Sequence, residues 1–269
     1  MENLRNQPKE QVVANGSDVE MIEVNSPNFF ERHFLHILTI FGVGFLIFTF
    51  IFQIYLTPIY IVGRSMQPTI NSQSTGSNDL INCDLVYYKR QSNFNRGDII
   101  VADASDYLTG QTDPIIKRVI ATGGDTLTFD FYQVDTTLLL IQDLHIYKCY
   151  YKIYLNGELL TEDYIAQSDC FLEIKTNTRG EYIDSGDYLF LQQVHSTLYK
   201  ENSSKFIEKG TVDITVPQNT YFICGDNRNH STDSRYFGAV KNSDILGVME
   251  LHIPYGTNLF VGIWRAIFN

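Results

Sequence analysis

The sequence predicts a mainly β protein in which a single N-terminal transmembrane helix is followed by a β-rich ectodomain. Three observations carry this expectation. No Asp, Glu, Lys or Arg occurs between Arg32 and Arg64, and Ile37 to Leu56 within that gap is almost wholly apolar. Beyond Pro58 the apolar runs are of strand length and are bounded by turn dipeptides such as Arg96-Gly97 and Asn156-Gly157. No long helical periodicity follows the apolar segment.

Taken in order, residues 1–32 are polar, Asn-rich and acidic, the composition of a flexible tail. Residues 33–57 carry the apolar segment. Twenty helical residues at ~1.5 Å each span about 30 Å, the thickness of a bilayer core. A cleaved secretory leader has a core of only about 7–15 apolar residues near the N-terminus. Here a long polar stretch comes first and no Ala-x-Ala follows. A helix buried in a soluble core would keep a polar face, and this one has none. Pro58 ends the helix. Arg32 and Arg64 stand one at each end, so charge bias gives no orientation.

The strands follow. Asp98–Ala102 leaves the Arg96-Gly97 turn, and Ile115–Ile120 is a second apolar run. Tyr151–Leu155, the Asn156-Gly157 turn and Glu158–Leu160 make a hairpin. Asp187–Gln192 and Thr220–Cys224 are further strands. Ser72–Asn78 and Asn202–Lys205 are polar loops, and no internal repeat is visible. The C-terminal Leu259–Phe268 is apolar but interrupted by Arg265 and too short to span a bilayer. It fits a membrane-surface contact or a packed end.

Composition narrows the function. A net charge of −11 argues against a nucleic-acid partner, which needs a basic surface. Cys83, Cys149, Cys170 and Cys224 show no C-x-x-C spacing and no His at a zinc-ligand interval, so no metal site is expected. A Cys149–Cys170 disulfide and buried free thiols both fit these spacings.

Three segments can carry chemistry. The first is Gly63-Arg64-Ser65-Met66-Gln67-Pro68-Thr69, just past the apolar helix, where Ser65 is either a nucleophile or a plain turn residue. The second is Lys117 in the strand Ile115–Ile120. There Ile115, Lys117 and Val119 share one face, and Ile116, Arg118 and Ile120 share the other. An edge strand with solvated cations fits these residues. So does a sharper reading: an amine with a free pKa of about 10.4 cannot accept a proton at neutral pH. Desolvation among aliphatic side chains lowers that value and makes a base that can deprotonate a serine. The third is Gly225 to Gly238, unusually polar after an apolar strand, in which Asp233 and Arg235 can pair.

With these segments in view, the sequence resembles the bacterial type I signal peptidases. GRSMQPT is similar to their nucleophile box, and RGDIIVA (Arg96–Ala102) to their Gly-Asp strand box. IIKRVIATGGD (Ile115–Asp125) resembles their lysine box, and GDNRNHSTDSRYFG (Gly225–Gly238) their most characteristic box, with order and spacing in agreement. The resemblance implies a membrane-bound Ser/Lys endopeptidase that removes signal peptides from exported preproteins. Ser65 would be the nucleophile and Lys117 the general base. Ser231 would orient the lysine amine, Asp233 and Arg235 would brace the loop as an ion pair, and Met66 would pack near the nucleophile. Where many Gram-negative relatives carry a serine that helps hold the oxyanion, this chain has Gly63, as Gram-positive relatives do. The oxyanion would then depend on backbone N–H, that of Ser65 above all. Gly123 stands where the lysine box often has proline.

The resemblance also implies an architecture and a setting. Residues 1–32 would be cytoplasmic and 33–57 would cross the cell membrane once. Residues 58–125 and 211–269 would form a catalytic β core on the extracytoplasmic face, with 126–210 an inserted β-rich cap. Substrates would be preproteins with small residues near the cleavage site. Each would bind as an added strand beside Pro58–Ser65 and Asp113–Lys117, with the lipid bilayer as second partner and no cofactor. Other readings stay open: a membrane-tethered β-rich binding module without catalysis, a soluble-type self-cleaving Ser/Lys protein, or a processing protease dedicated to one substrate. A Ser-His-Asp triad is the weaker reading, since His230 is the only histidine within a motif, while His195 and His252 have no supporting pattern. Arg96-Gly97-Asp98 is explained by the strand box rather than by adhesion. A glycan at Asn229 would stand inside the catalytic loop, which disfavours an endoplasmic-reticulum setting.

Overall fold

Alternating burial organises the chain beyond the apolar helix. Asp84–Lys89 and Phe171–Asn177 each place every second side chain in a core. A computed structural model describes residues 9–15, 18–24, 29–73, 82–108, 110, 112–139, 144–165, 167–183, 188–201, 206–258 and 261–262. The C-terminal segment 259–268 and the loop 202–205 lie outside these residues, 261–262 apart, as does most of the loop 72–78. The chain divides into two compact units, Met1–Ile54 and Tyr55–Asn269.

In the first unit, β1 (Lys9–Asn15) and β2 (Asp18–Val24) pair antiparallel, Asn15 facing Asp18. These residues were expected in a flexible tail. Val12, Val13, Val19 and Ile22 give the stretch strand propensity that its polar composition hid. Helix α1 follows, Phe29–Tyr55, of which Arg32–Tyr55 is long and apolar enough to cross a membrane. Leu35, Ile40 and Phe41 stand exposed on it, as no core helix of a soluble protein would have them. Its hydroxyls are satisfied within the helix: Thr39 donates to the Leu35 carbonyl at 2.7 Å and Thr49 to that of Leu46 at 2.9 Å. That arrangement suits a medium without water. The helix ends at Tyr55, and Pro58 falls in the next strand.

The second unit begins with β3 (Thr57–Ile61), β4 (Asp84–Lys89), β5 (Ile99–Ala102) and β6 (Ile115–Thr122). Next come β7 (Thr126–Leu139), β8 (Leu144–Leu155), β9 (Glu158–Leu159) and β10 (Phe171–Asn177). Helix α2 (Leu189–Leu198), β11 (Gly210–Thr215), β12 (Thr220–Cys224), the short helix α3 (Ser234–Phe237), β13 (Val240–Lys241) and β14 (Ile245–Ile253) complete it. Two antiparallel sheets result. One is seven-stranded in the order β13-β12-β6-β5-β14-β4-β3; the other runs β10-β8-β7-β11, with β9 on β8. Strand β11 pairs with β7, so the second sheet continues past the boundary expected at residue 210.

The hairpin with its Asn156-Gly157 turn stands as read from the sequence, Leu155 facing Glu158. Within the strand expected at Asp187–Gln192, Asp187 lies outside the described residues and Leu189–Gln192 is helical instead, the start of α2. Its buried residues Phe190, Leu191, Val194 and Leu198 form a helical stripe that extends beyond the window from which a strand was read. That stripe packs with Phe129, Phe131 and Tyr151 of the second sheet and with Ala121 and Phe222 of the first, joining the sheets through one core. Cys149 and Cys170 are free thiols. Cys149 faces Leu172, while the Cys170 carbonyl meets the Tyr151 N–H, so the two thiols sit diagonally across the ladder.

Candidate active site

Strand β6 is not an edge. It lies between β5 and β12, with Ile100 opposite Lys117 on one side and Cys224 opposite Arg118 on the other. Lys117 is 4% exposed. The register on β12 delivers the polar loop that follows Cys224 to the same place. Strand β3 brings the Ser65 turn from the far edge of the sheet, and that turn seats Met66 and Ile70 in a core with Ile61 and Ile116.

The Lys117 Nζ lies 2.9 Å from the Ser65 Oγ and 2.8 Å from the Ile116 carbonyl oxygen. It makes no ion pair among the described residues. Burial disfavours its ammonium form, and its pKa falls from 10.5 to about 8. Asp233 and Arg235 act on the amine in opposite directions. A neutral amine at this distance can accept the hydroxyl proton.

The Ser65 turn is held from two sides. The Arg64 carbonyl accepts the Gln67 N–H at 3.1 Å, and the Ser65 carbonyl accepts the Asn227 N–H at 3.0 Å. Gly225 permits this approach: a Cβ there would lie 2.3 Å from the Ser65 carbonyl oxygen and 2.3 Å from the Ser231 Oγ. The Ser65 N–H has no protein acceptor among the described residues, which leaves it for a ligand oxygen. Gly63 sits at φ 94°, a conformation that a serine at this position would adopt only with strain.

Asp233 and Arg235 are both 0% exposed and pair through two bonds, Nε to Oδ1 at 2.8 Å and Nη2 to Oδ2 at 2.7 Å. Burial alone would raise the Asp233 carboxyl. Arg235 and the Gly225 N–H, which donates to Oδ2 at 2.9 Å, hold it below its usual value. Arg235 also donates to the Tyr151 hydroxyl at 2.7 Å and the Arg228 carbonyl at 2.8 Å. The Ser231 Oγ is enclosed beside Gly225; it has no partner in good hydrogen-bond geometry among the described residues but acts on the Asp233 carboxyl to lower it, and the lysine amine meets the Ile116 carbonyl.

Sequence reasoning missed a second ion pair. Arg118 grips Asp226 through Nε and Nη2 at 2.8 and 2.6 Å, while Thr69 donates to the same carboxylate at 2.6 Å. Tyr164 lies against the guanidinium at 4.0 Å. Arg228 pairs with Glu162 at 2.5 Å, and the Gln167 amide meets the Asn227 side chain at 3.0 Å. The 162–171 segment is thus tied to the loop after β12. The available signal was Asp226 itself, an acid two residues past the end of an apolar strand.

Beside Ser65 and Lys117 runs a groove of about 530 Å³, lined by Ile59 to Val62 on one side and Asp113 to Ile116 on the other. The expected substrate path, Pro58–Ser65 and Asp113–Lys117, coincides with those walls.

A family model described as signal peptidase, peptidase S26, matches residues 31–253. The chain is 32% identical to signal peptidase I of Aquifex aeolicus over 211 residues, which cover 74% of this chain and 74% of that protein. It is 27% identical to signal peptidase I P of Bacillus subtilis subsp. natto (77% of this chain, 80% of that one). It is also 27% identical to signal peptidase IB of Staphylococcus aureus (77% and 82%). Among solved structures, a signal peptidase I of Enterococcus faecalis matches at 24% identity and a TM-score of 0.31, covering 59% of this chain and 98% of that one.

Proposed function

The chain belongs to the signal peptidase family, peptidase S26, and on that premise we propose that Ser65 is its nucleophile and Lys117 its general base. Membership makes it a serine endopeptidase that removes signal peptides from exported preproteins. The observation that supports the residue assignment is the buried lysine amine, without an ion pair, 2.9 Å from the Ser65 hydroxyl.

In the proposed reaction Lys117 takes the Ser65 proton as the oxygen attacks the scissile carbonyl. The Ser65 N–H supports the oxyanion. The new ammonium gives its proton to the leaving amine, which leaves an ester on Ser65. Water then attacks the ester, with the same amine as base. Asp233 and Arg235 act as braces, Met66 and Gly63 shape the turn, and Ser231 walls the site beside Gly225. The seven-stranded sheet is the catalytic core and the second sheet its cap. The helix within Arg32–Tyr55 anchors the chain in the bilayer, with residues 58–269 extracytoplasmic.

The test is cleavage of a preprotein by the full chain in detergent, with Ser65→Ala and Lys117→Arg beside it. Both variants are expected to be inactive, the second because a guanidinium stays protonated. Cleavage by either at the wild-type rate would remove the assignment.

A further inference from the structure

Asn71 is 1% exposed, and each of its polar groups is engaged. Its Nδ2 donates to the Ile61 carbonyl and, at 3.0 Å, to the Gly63 carbonyl. Its Oδ1 accepts the Asp84 N–H at 2.7 Å, and its own N–H donates to the Asp84 Oδ2 at 2.7 Å. Its carbonyl accepts the Gln67 Nε2 at 2.7 Å. Asp84 is held in turn: its Oδ2 accepts from the His252 Nε2 at 2.7 Å, and its Oδ1 accepts the Tyr255 N–H at 2.8 Å. One side chain thus ties the backbone just ahead of Ser65 to β4 and, through Asp84, to the end of β14.

The position of this clamp matters because of what the turn lacks. Gly63 has no side chain to offer an oxyanion, so this turn stabilises the oxyanion by backbone alone, and the tilt of a few peptide planes decides how well. Asn71 fixes the plane carrying the Gly63 carbonyl, two residues before the nucleophile. The Asn227 N–H fixes the plane carrying the Ser65 carbonyl. Asn71 itself sits at φ 56°, where asparagine is tolerated and glycine is comfortable.

We propose that Asn71, locked by Asp84 and His252, is a positioning residue for acyl transfer, one that aims the Ser65 hydroxyl and N–H through its hold on the Gly63 carbonyl. The proposal rests on Ser65 being the nucleophile. A merely structural Asn71 would change stability and leave turnover by the folded enzyme alone. A positioning Asn71 lowers kcat by more than any loss of folded enzyme at the assay temperature explains, while KM holds.

The experiment measures kcat, KM and thermal midpoint for the full chain in detergent on one preprotein. Asn71→Gly keeps the backbone conformation and removes the amide. It is expected to lower kcat about 10²-fold, the usual cost of misplacing a reacting group by about 1 Å, with KM within about twofold. Asn71→Asp, which turns an acceptor toward two carbonyls, loses at least as much. Further along the chain of contacts, His252→Ala is expected to lower kcat about fivefold. His252→Gln, which restores a donor to Asp84, recovers most of that loss. Because the His252 side chain is 24% exposed, these two variants test the proposal even if both Asn71 variants unfold. Wild-type kcat in Asn71→Gly or in His252→Ala, or a fall in rate that only tracks a lowered thermal midpoint, would overturn it. An inactive Ser65→Ala beside a fully active Asn71→Gly rejects the positioning role alone; an active Ser65→Ala rejects the nucleophile beneath it.

Discussion

Lys117 and Arg235 are both sealed from solvent, at 4% and 0% exposure, and the arginine's charge helps to lower the lysine's pKa. Arg235 has a carboxylate on two of its nitrogens and two further acceptors on a third, and its guanidinium is held charged far more firmly than in water. Lys117 has one hydroxyl and one carbonyl, and burial drives its pKa down to about 8. Equal burial therefore produces opposite chemistry: a guanidinium stays protonated and here has a carboxylate to compensate it, while the amine has no ion pair among the described residues and burial drives it toward neutrality. The arginine region is a brace whose charge is fully compensated. The lysine region keeps an uncompensated amine, which is costly for folding and necessary for a base that works near neutral pH.

The sharpest way to break this contrast is to remove either member of the lysine site. Ser65→Ala and Lys117→Ala are each expected to lower kcat about 10⁴-fold or more in a preprotein cleavage assay, with the chain still folded. Removing the brace acts the other way round. Asp233→Ala strands a buried guanidinium and is expected to cost about 3–5 kcal/mol in urea unfolding, with activity falling as the loop loosens. An Asp233→Ala chain as stable as wild type would contradict the brace.

The third test concerns stability at the lysine. Its folded-state pKa lies below the unfolded value, so the cost of burying the ammonium is in force at pH 7, where both states are protonated. It fades as pH rises from about 8 toward about 10.5, where only the unfolded chain stays charged. Lys117→Met is therefore expected to be more stable than wild type at pH 7, by about 3 kcal/mol. That advantage should shrink steadily above pH 8. An advantage that does not change with pH would mean that the lysine is not desolvated. The smallest effect is expected from Thr69→Val, which removes one hydrogen bond to Asp226 and should cost about 1 kcal/mol.

The two regions also differ in how far the sequence revealed them. Asp233 and Arg235 stand two residues apart in a polar loop, and their pairing was readable from spacing. Ser65 and Lys117 were readable from the composition of their segments and the resemblance those segments carry. The burial of Lys117 was not readable from β6 itself, since an enclosed strand and an edge strand differ only in their neighbours. Here those neighbours are β5 and a strand more than a hundred residues downstream. Arg118 meets Asp226 across 108 positions and Asp84 meets His252 across 168, so no local window contains either pair. Helix α2 was misread for a related reason: a strand-length window saw Leu189 to Gln192 and not the stripe completed by Val194 and Leu198.

The central claim is that the Lys117 amine is uncharged when it meets Ser65, and a direct titration tests it. The ε-carbon shift of Lys117, labelled in the full chain in detergent and assigned by comparison with Lys117→Met, would be followed against pH beside the pH dependence of kcat/KM. The account predicts one titration near pH 8 and a rate that rises with it to a plateau. A lysine that titrates near 10.5, with cleavage already at full rate well below that pH, would contradict it.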